Sequence, residues 1–157
     1  MILTLEPITA AAFAPFGQLL APQSGSGGRQ DLVHELQNDR IAARPRLSLL
    51  AVEPKALPLT AIEMERHIYS SQAFLPLDCA SYLVLVAAQT PNDLPDVGQM
   101  HAFRVPGGIG INYRANTWHH PLTPLERVAR FAVLTFVEGT PGDEHFFRLP
   151  SKVLINR

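Results

Sequence analysis

Two short stretches of this chain gather groups that can transfer protons. In "ERHIYSSQ", Glu65, His67 and Gln72 fall within eight residues, and "NYRANTWHHPL" carries Tyr113, Asn116, His119 and His120. Three of the chain's six histidines lie in these two stretches. Imidazole suits acid–base work because its ordinary pKa, near ~6.5, lies close to neutrality. In an extended strand, successive side chains take opposite faces, so Glu65 and His67 share one face and Arg66 takes the other. The same alternation sends His119 one way and Trp118 and His120 the other. Gln72 follows the turn expected at "YSS", and a second, antiparallel strand would return its amide beside Glu65 and His67.

The elements that must hold these groups read as strands. From Arg46 onward, short apolar runs alternate with turn material: "RLSLLAV", "MERHI", "AFLPL", "SYLVLVAA", "MHAFRV", "IGINY", "TWHHPL", "ARFAVLTFVE" and "HFFRL". Between them stand "EPKALP", "QTPNDLPDVG", "PGG" and "EGTPGD", which are rich in turn residues. Fourteen prolines and ten glycines disfavour long helices and suit strand ends. Near the N-terminus "LTLEPIT" reads as a strand, and Thr9 is placed to cap a short helix through "AAAFAPFG" that Pro15 and Gly17 end. Many short strands predict an all-β sandwich or barrel with one short helical element near the N-terminus. "APQSGSGGRQ" (Ala21 to Gln30) reads as a surface loop, since no Gly-Lys-Ser/Thr follows to cradle phosphate. "VPGGIG" is a turn, because no βαβ unit surrounds it.

Composition sets outer bounds. With 46% hydrophobic and 17% charged residues, the 157-residue chain is expected to fold as one domain over 1–157. A net charge of −1 gives no electrostatic basis for binding nucleic acid. No apolar run reaches the roughly 20 residues of a membrane span, so no membrane partner is expected. The N-terminus lacks a secretory pattern, and the single cysteine, Cys79, permits no internal disulfide. Both fit a cytoplasmic location. No nucleotide or organic cofactor motif occurs.

The spacing of the two stretches resembles that of the cupin barrels. Their first motif is His-x-His, three or four residues, Glu, six residues, Gly; here Glu65 and His67 fall on the histidine pair, Gln72 on the Glu and Cys79 on the Gly. Their second motif is Pro-x-Gly-x-x-His, on which Arg114, Asn116 and His119 fall. Asn is the residue, after Gly, that best tolerates a left-handed turn. Taken as whole strings, "ERHIYSSQAFLPL" and "GINYRANTWHHPL", with "FAPFG" and "LPLT" (Leu57 to Thr60), resemble the ureidoglycolate lyase family, long called ureidoglycolate hydrolases.

That resemblance implies a cupin-like (double-stranded) β-barrel, commonly a homodimer, acting on a small-molecule substrate. The implied reaction splits ureidoglycolate into glyoxylate and urea in purine (allantoin) breakdown, with a divalent metal, nickel, as the implied cofactor. Glu65, His67 and His119 become the candidate catalytic residues. Glu65, His67, Gln72 and His119 become candidate metal ligands, and Gln72, Tyr113, Asn116 and His120 candidate substrate contacts. The chain departs from the family's usual residues at Ala51, Cys79, Thr135 and Phe136, and in its early "SGSGGRQ" loop. Two other classes use the same barrel: an isomerase or epimerase of another small hydroxy acid or sugar, and a ligand-binding barrel without turnover.

Several residues also have a plain structural reading. Trp118 suits the core or the cavity wall, and Arg66, Arg104 and Arg114 suit exposed ion pairs. His34, His101 and His145 are isolated, and Cys79 has no histidine close in sequence to activate it.

Overall fold

The computed structural model describes residues 1–21 and 28–157, so residues 22–27 of the expected Gly/Ser loop lie outside the described part. The short helix α1 spans Ala10–Phe13, and Thr9 caps it as expected: its side chain accepts from the Ala12 N–H at 3.1 Å. The other named elements are strands, apart from a single 3₁₀ turn at Pro141–Asp143. In chain order they are β1 (Ile2–Thr4), β2 (Glu6–Pro7), β3 (Gly17–Leu20), β4 (Arg44–Val52), β5 (Leu59–Arg66), β6 (Gln72–Asp78) and β7 (Ser81–Gln89). They continue with β8 (Pro95–Pro106), β9 (Gly110–Tyr113), β10 (Trp118–His119), β11 (Thr123–Leu125), β12 (Ala129–Val137) and β13 (His145–Asn156).

These strands form two sheets. One runs β1-β13-β5-β10-β7-β8-β2, with β11 also on β7; the other runs β3-β9-β6-β12-β4. Together they make a nearly closed, cupin-like all-β barrel. Its interior is filled by Phe13, Phe74, Tyr82, Phe103, Tyr113 and Phe131 with smaller aliphatic residues. A second cluster, with Met64, Leu83, Leu85, Trp118, Val153 and Ile155, packs on the opposite face of the larger sheet. Strand β7 serves both: Tyr82, Val84 and Val86 face the interior, and Leu83, Leu85 and Ala87 face the second cluster. Burial on both faces explains why "SYLVLVAA" shows no polar alternation.

Four elements differ from the sequence reading. "LTLEPIT" is two strands, since β1 pairs with β13 and β2 with β8. The helix stops at Phe13, before Pro15, and Gly17 already opens β3. "QTPNDLPDVG" is not turn throughout, because Pro95 already begins β8. "TWHHPL" is not one strand: β10 stops at His119 and β11 begins at Thr123.

Register across the smaller sheet sets out the site. Gly17 pairs with Tyr113, Tyr113 with Gln72, Gln72 with Thr135, and Thr135 with Arg46. One residue from each of five strands therefore lies in a single row. Gly17 has a steric reason to be there, since a Cβ at that position would stand 1.9 Å from the Asn112 carbonyl oxygen. Gly17→Ala is expected to cost roughly 3 kcal/mol, at the upper end of the overpacking range. Thermal and urea melts measure it, and an unchanged midpoint would show that β3 yields freely.

Candidate active site

Glu65 and His119 are directly opposed across β5 and β10. Side chains on paired residues project to the same face, and here they meet: Glu65 Oε1 lies 3.3 Å from His119 Nε2. Gln72 comes from the other sheet, its Oε1 3.1 Å from the same nitrogen. The expected hairpin partner is thus replaced by a residue facing across the barrel interior. Tyr113, paired with Gln72, stacks on the His119 ring at 4.1 Å between centroids and 16° between planes. That stack fixes the plane of the imidazole.

His67 lies just beyond the end of β5 and is buried, its ring 5.6 Å from that of His119. Its Nδ1–H donates to the Asp143 carbonyl at 2.9 Å, and its Nε2 is buried with no hydrogen-bond partner. The Nδ1–H of His119 likewise donates to the Thr117 carbonyl, at 2.8 Å. With that hydrogen placed, Nε2 of His119 presents a lone pair toward the Glu65 carboxylate. Two acceptors at 3.3 Å require a proton or a cation between them. The donor atoms of Glu65, His67 and His119 all lie within 4.8 Å of one another. An orphaned imidazole nitrogen, a second aimed at a carboxylate and a nearby amide oxygen fit a divalent metal of the nickel or zinc kind.

Burial alone would raise the Glu65 carboxyl, but the hydrogen bond from His119 and the charges of His119, His67 and His120 outweigh it, holding the group below its ordinary value. For His67 burial acts with the nearby His119 to lower the pKa, against the smaller effects of the Asp143 carbonyl and Glu65. His120 is pushed down to about 4, chiefly by burial, with Lys55 adding to it. β10 ends one residue earlier, though the His120 N–H still donates to the Leu85 carbonyl of β7 at 2.9 Å. Its Nδ1 contacts the Pro121 carbonyl at 3.0 Å and Thr123 Oγ1 at 3.2 Å. The charges of Glu65 and His119 both reach it.

A cleft of about 360 Å³ reaches the Glu65 and Gln72 side of this constellation, lined by these two and Phe74 with Arg46, Ser48 and Glu144. The last three were missed from sequence. The row of register pairs ending at Arg46 is the feature that identifies it, and only the fold reveals that row. Arg46 and Glu144 stand 3.6 Å apart, each roughly half exposed.

Other candidates sit elsewhere. Asn116 takes the left-handed turn expected of it, at φ 66°. Its side-chain oxygen accepts from Arg66 at 2.9 Å and its N–H donates to the His67 carbonyl at 2.7 Å, so it braces the motif from behind and does not line the cleft. Arg66 is not a surface residue: it is buried over the Trp118 ring at 4.3 Å and pairs with Asp93 at 2.8 Å. Arg104 forms its expected exposed ion pair, with Glu126 at 3.0 Å, whereas Arg114 donates to the Ala14 carbonyl. Burial pushes the Cys79 thiol up to about 11, which suits no nucleophile. Thr135 is buried, with its hydroxyl bonded to Ser70 and to the Ser71 carbonyl beside Gln72. Ala51 is exposed on β4, opposite Arg130.

An all-β barrel holding a largely buried Glu–His–His set beside a cleft defines a cupin-like enzyme. Comparison with known proteins carries this further. The family described as Ureidoglycolate lyase matches residues 1–154. A ureidoglycolate lyase of Burkholderia cepacia is 37% identical over 141 residues, covering 85% of this chain and 78% of its own. One of Azotobacter vinelandii is 34% identical, covering 99% of this chain and 98% of its own. Ureidoglycolate lyase 2 of Rhizobium meliloti is 36% identical, covering 96% of each. The chain belongs to the ureidoglycolate lyase family.

The lowered imidazoles make stability depend on pH. His67 and His120 bind protons less readily in the fold than in the unfolded chain, so the unfolded state gains protons first as pH falls. The stability they contribute is complete above pH 6.5 and is lost as pH falls toward about 4. The melting temperature should decline across that window, and His120→Gln should flatten the decline. Parallel curves for the two proteins would refute the assignment.

Proposed function

We propose that this protein cleaves ureidoglycolate to glyoxylate and urea at the cleft above Glu65, His67 and His119. The convergence of these three side chains, in a chain of this family, is the observation that carries the reading. The substrate is a carbinolamide whose central carbon bears a hydroxyl, a carboxylate and the urea nitrogen. Cleavage removes the hydroxyl proton as the carbon–nitrogen bond breaks, and a proton goes to the departing nitrogen.

His67 Nε2, neutral and without a partner, accepts the hydroxyl proton. The proton held between Glu65 and His119 Nε2 is delivered to the urea nitrogen. Gln72 orients the substrate beside that pair, and Tyr113 keeps the His119 ring in plane. Arg46 is the cation lining the cleft among the described residues and binds the substrate carboxylate in place of Glu144. A divalent cation, nickel in our reading, would be held by Glu65, His67 and His119 with Gln72 beside them, and would supply electrophilic polarisation of the substrate oxygens. Proton and cation compete for the same lone pairs, so turnover with and without chelator separates the two loadings.

The reaction is placed in the cytoplasm, where the unpaired Cys79 stays reduced. No helix among the described residues is long and apolar enough to cross a membrane. We assign a homodimer contact to the outer face of the smaller sheet. Leu47, Leu49 and Leu77 are 68%, 75% and 61% exposed there. Register sets Leu49 beside Ala132 and Leu75, and Leu47 beside Leu134, as one continuous apolar surface.

Purified protein given ureidoglycolate should release glyoxylate and urea in equal amounts above the spontaneous rate, and ammonia in place of urea would overturn the reading. His119→Ala should lower kcat by roughly 10²–10⁴-fold with the fold retained. Arg46→Ala should raise KM about tenfold or more, as loss of a charged hydrogen bond does. Normal turnover by His119→Ala would remove the constellation from the mechanism. In light scattering, Leu49→Asp should halve the mass of the native particle, and an unchanged mass would place the contact elsewhere.

A further inference from the structure

The turn between β12 and β13, residues 138–144, reaches His67 through the Asp143 carbonyl oxygen, which receives the His67 Nδ1–H. The Asp143 carboxylate meanwhile folds back on its own turn. It accepts from the backbone N–H groups of Glu138 at 2.9 Å, Gly139 at 2.8 Å and Thr140 at 3.2 Å. Arg40, which lies far away in sequence and is largely buried, closes the knot at 2.7 Å from Asp143 Oδ1. Arg40 is itself held by the Phe136 carbonyl at 3.2 Å and lies over the Tyr69 ring at 5.3 Å.

We propose that Asp143, anchored by Arg40, is a positioning residue for His67, fixing the imidazole with Nδ1 protonated and Nε2 left free to accept. The chemistry follows from the tautomer. A neutral imidazole can carry its proton on either nitrogen, and only the Nδ1–H form leaves Nε2 able to accept a proton or bind a cation. A backbone carbonyl selects that form only if the backbone is held still. Four donors hold it, three backbone N–H groups and one guanidinium, and Gly139, at φ 77°, lets the turn close. Burial opposes ionisation of Asp143, yet these donors outweigh it and hold its carboxyl down to about 2, so the knot stays charged across neutral pH. The next residue, Glu144, lines the cleft beside Arg46, so the same turn also sets one wall of the substrate site.

The test uses the full chain labelled with ¹⁵N-histidine. Long-range ¹H–¹⁵N correlation in chelator reads the tautomer, and His67 is identified by its loss in His67→Gln. The native chain should show one tautomer of His67, protonated at Nδ1. Asp143→Asn and Arg40→Gln should show a mixture of tautomers. Their kcat for glyoxylate release should fall about tenfold with KM little changed, as is usual when a partner orienting a ligand histidine is lost. Arg40→Lys should restore most of both. Should Asp143→Asn fail to fold, the pair Arg40→Gln and Arg40→Lys decides the matter. A single Nδ1–H tautomer retained in the weakened variants would overturn the proposal, even if their melting temperatures fell. The kinetic arm rests on the role proposed for His67. The tautomer arm does not, so the failure of one is distinguishable from failure of the other.

Discussion

The contact between Glu65 and His119 places a carboxylate oxygen and an imidazole lone pair 3.3 Å apart, with His119 fully buried. Without a positive charge between them those atoms repel, and burial magnifies the repulsion. The structure around them supports this arrangement from both sheets. The larger sheet supplies the pair itself through one rung of β5 and β10. The smaller sheet supplies the pair Gln72 and Tyr113, one as a polar neighbour of Nε2 and the other as a flat wall. Two cross-strand pairs, one per sheet, thus meet face to face. Neither sheet alone makes the site, so barrel closure and site assembly are one event.

Electrostatics sorts the titratable groups into different roles. Glu65 is held ionised chiefly by its hydrogen bond with His119, against burial. His67 and His120 are held neutral by the same burial. A fixed negative charge beside neutral bases, all within a few ångströms, keeps one site competent both to give and to take a proton near neutrality. The polar residues behind it extend this order outward. Asn116 ties the second motif to the His67 carbonyl and to Arg66, and Thr135 with Ser70 and Ser71 braces the start of β6.

Much of this was legible in the sequence, for reasons that differ by residue. Alternation placed Glu65 and His67 together, opposite Arg66, because β5 is regular to its end. The left-handed turn at Asn116 followed from its side-chain chemistry. Thr9 as a helix cap followed in the same way. The apolar pattern of "TWHHPL" suggests one strand, whereas β10 stops at His119 and β11 starts at Thr123. The hairpin reading failed for the partner of Gln72, because a hairpin is the nearest solution in sequence and the barrel uses a distant one. Arg46, Ser48 and Glu144 carry no local signal at all. Arg46 and Ser48 lie on an edge strand with no motif, and Glu144 falls between the turn "EGTPGD" and the strand "HFFRL". Only register across five strands brings Arg46 into line with Gln72 and Tyr113.

The claim that Glu65, His67 and His119 form one constellation can be read directly by titrating nickel(II) into the purified chain by calorimetry. Three donors within 4.8 Å predict about one ion bound per chain, with binding lost in His67→Ala and in His119→Ala and weakened in Glu65→Gln. Retention of full nickel binding by either histidine variant, or absence of binding by the native chain, would contradict the claim.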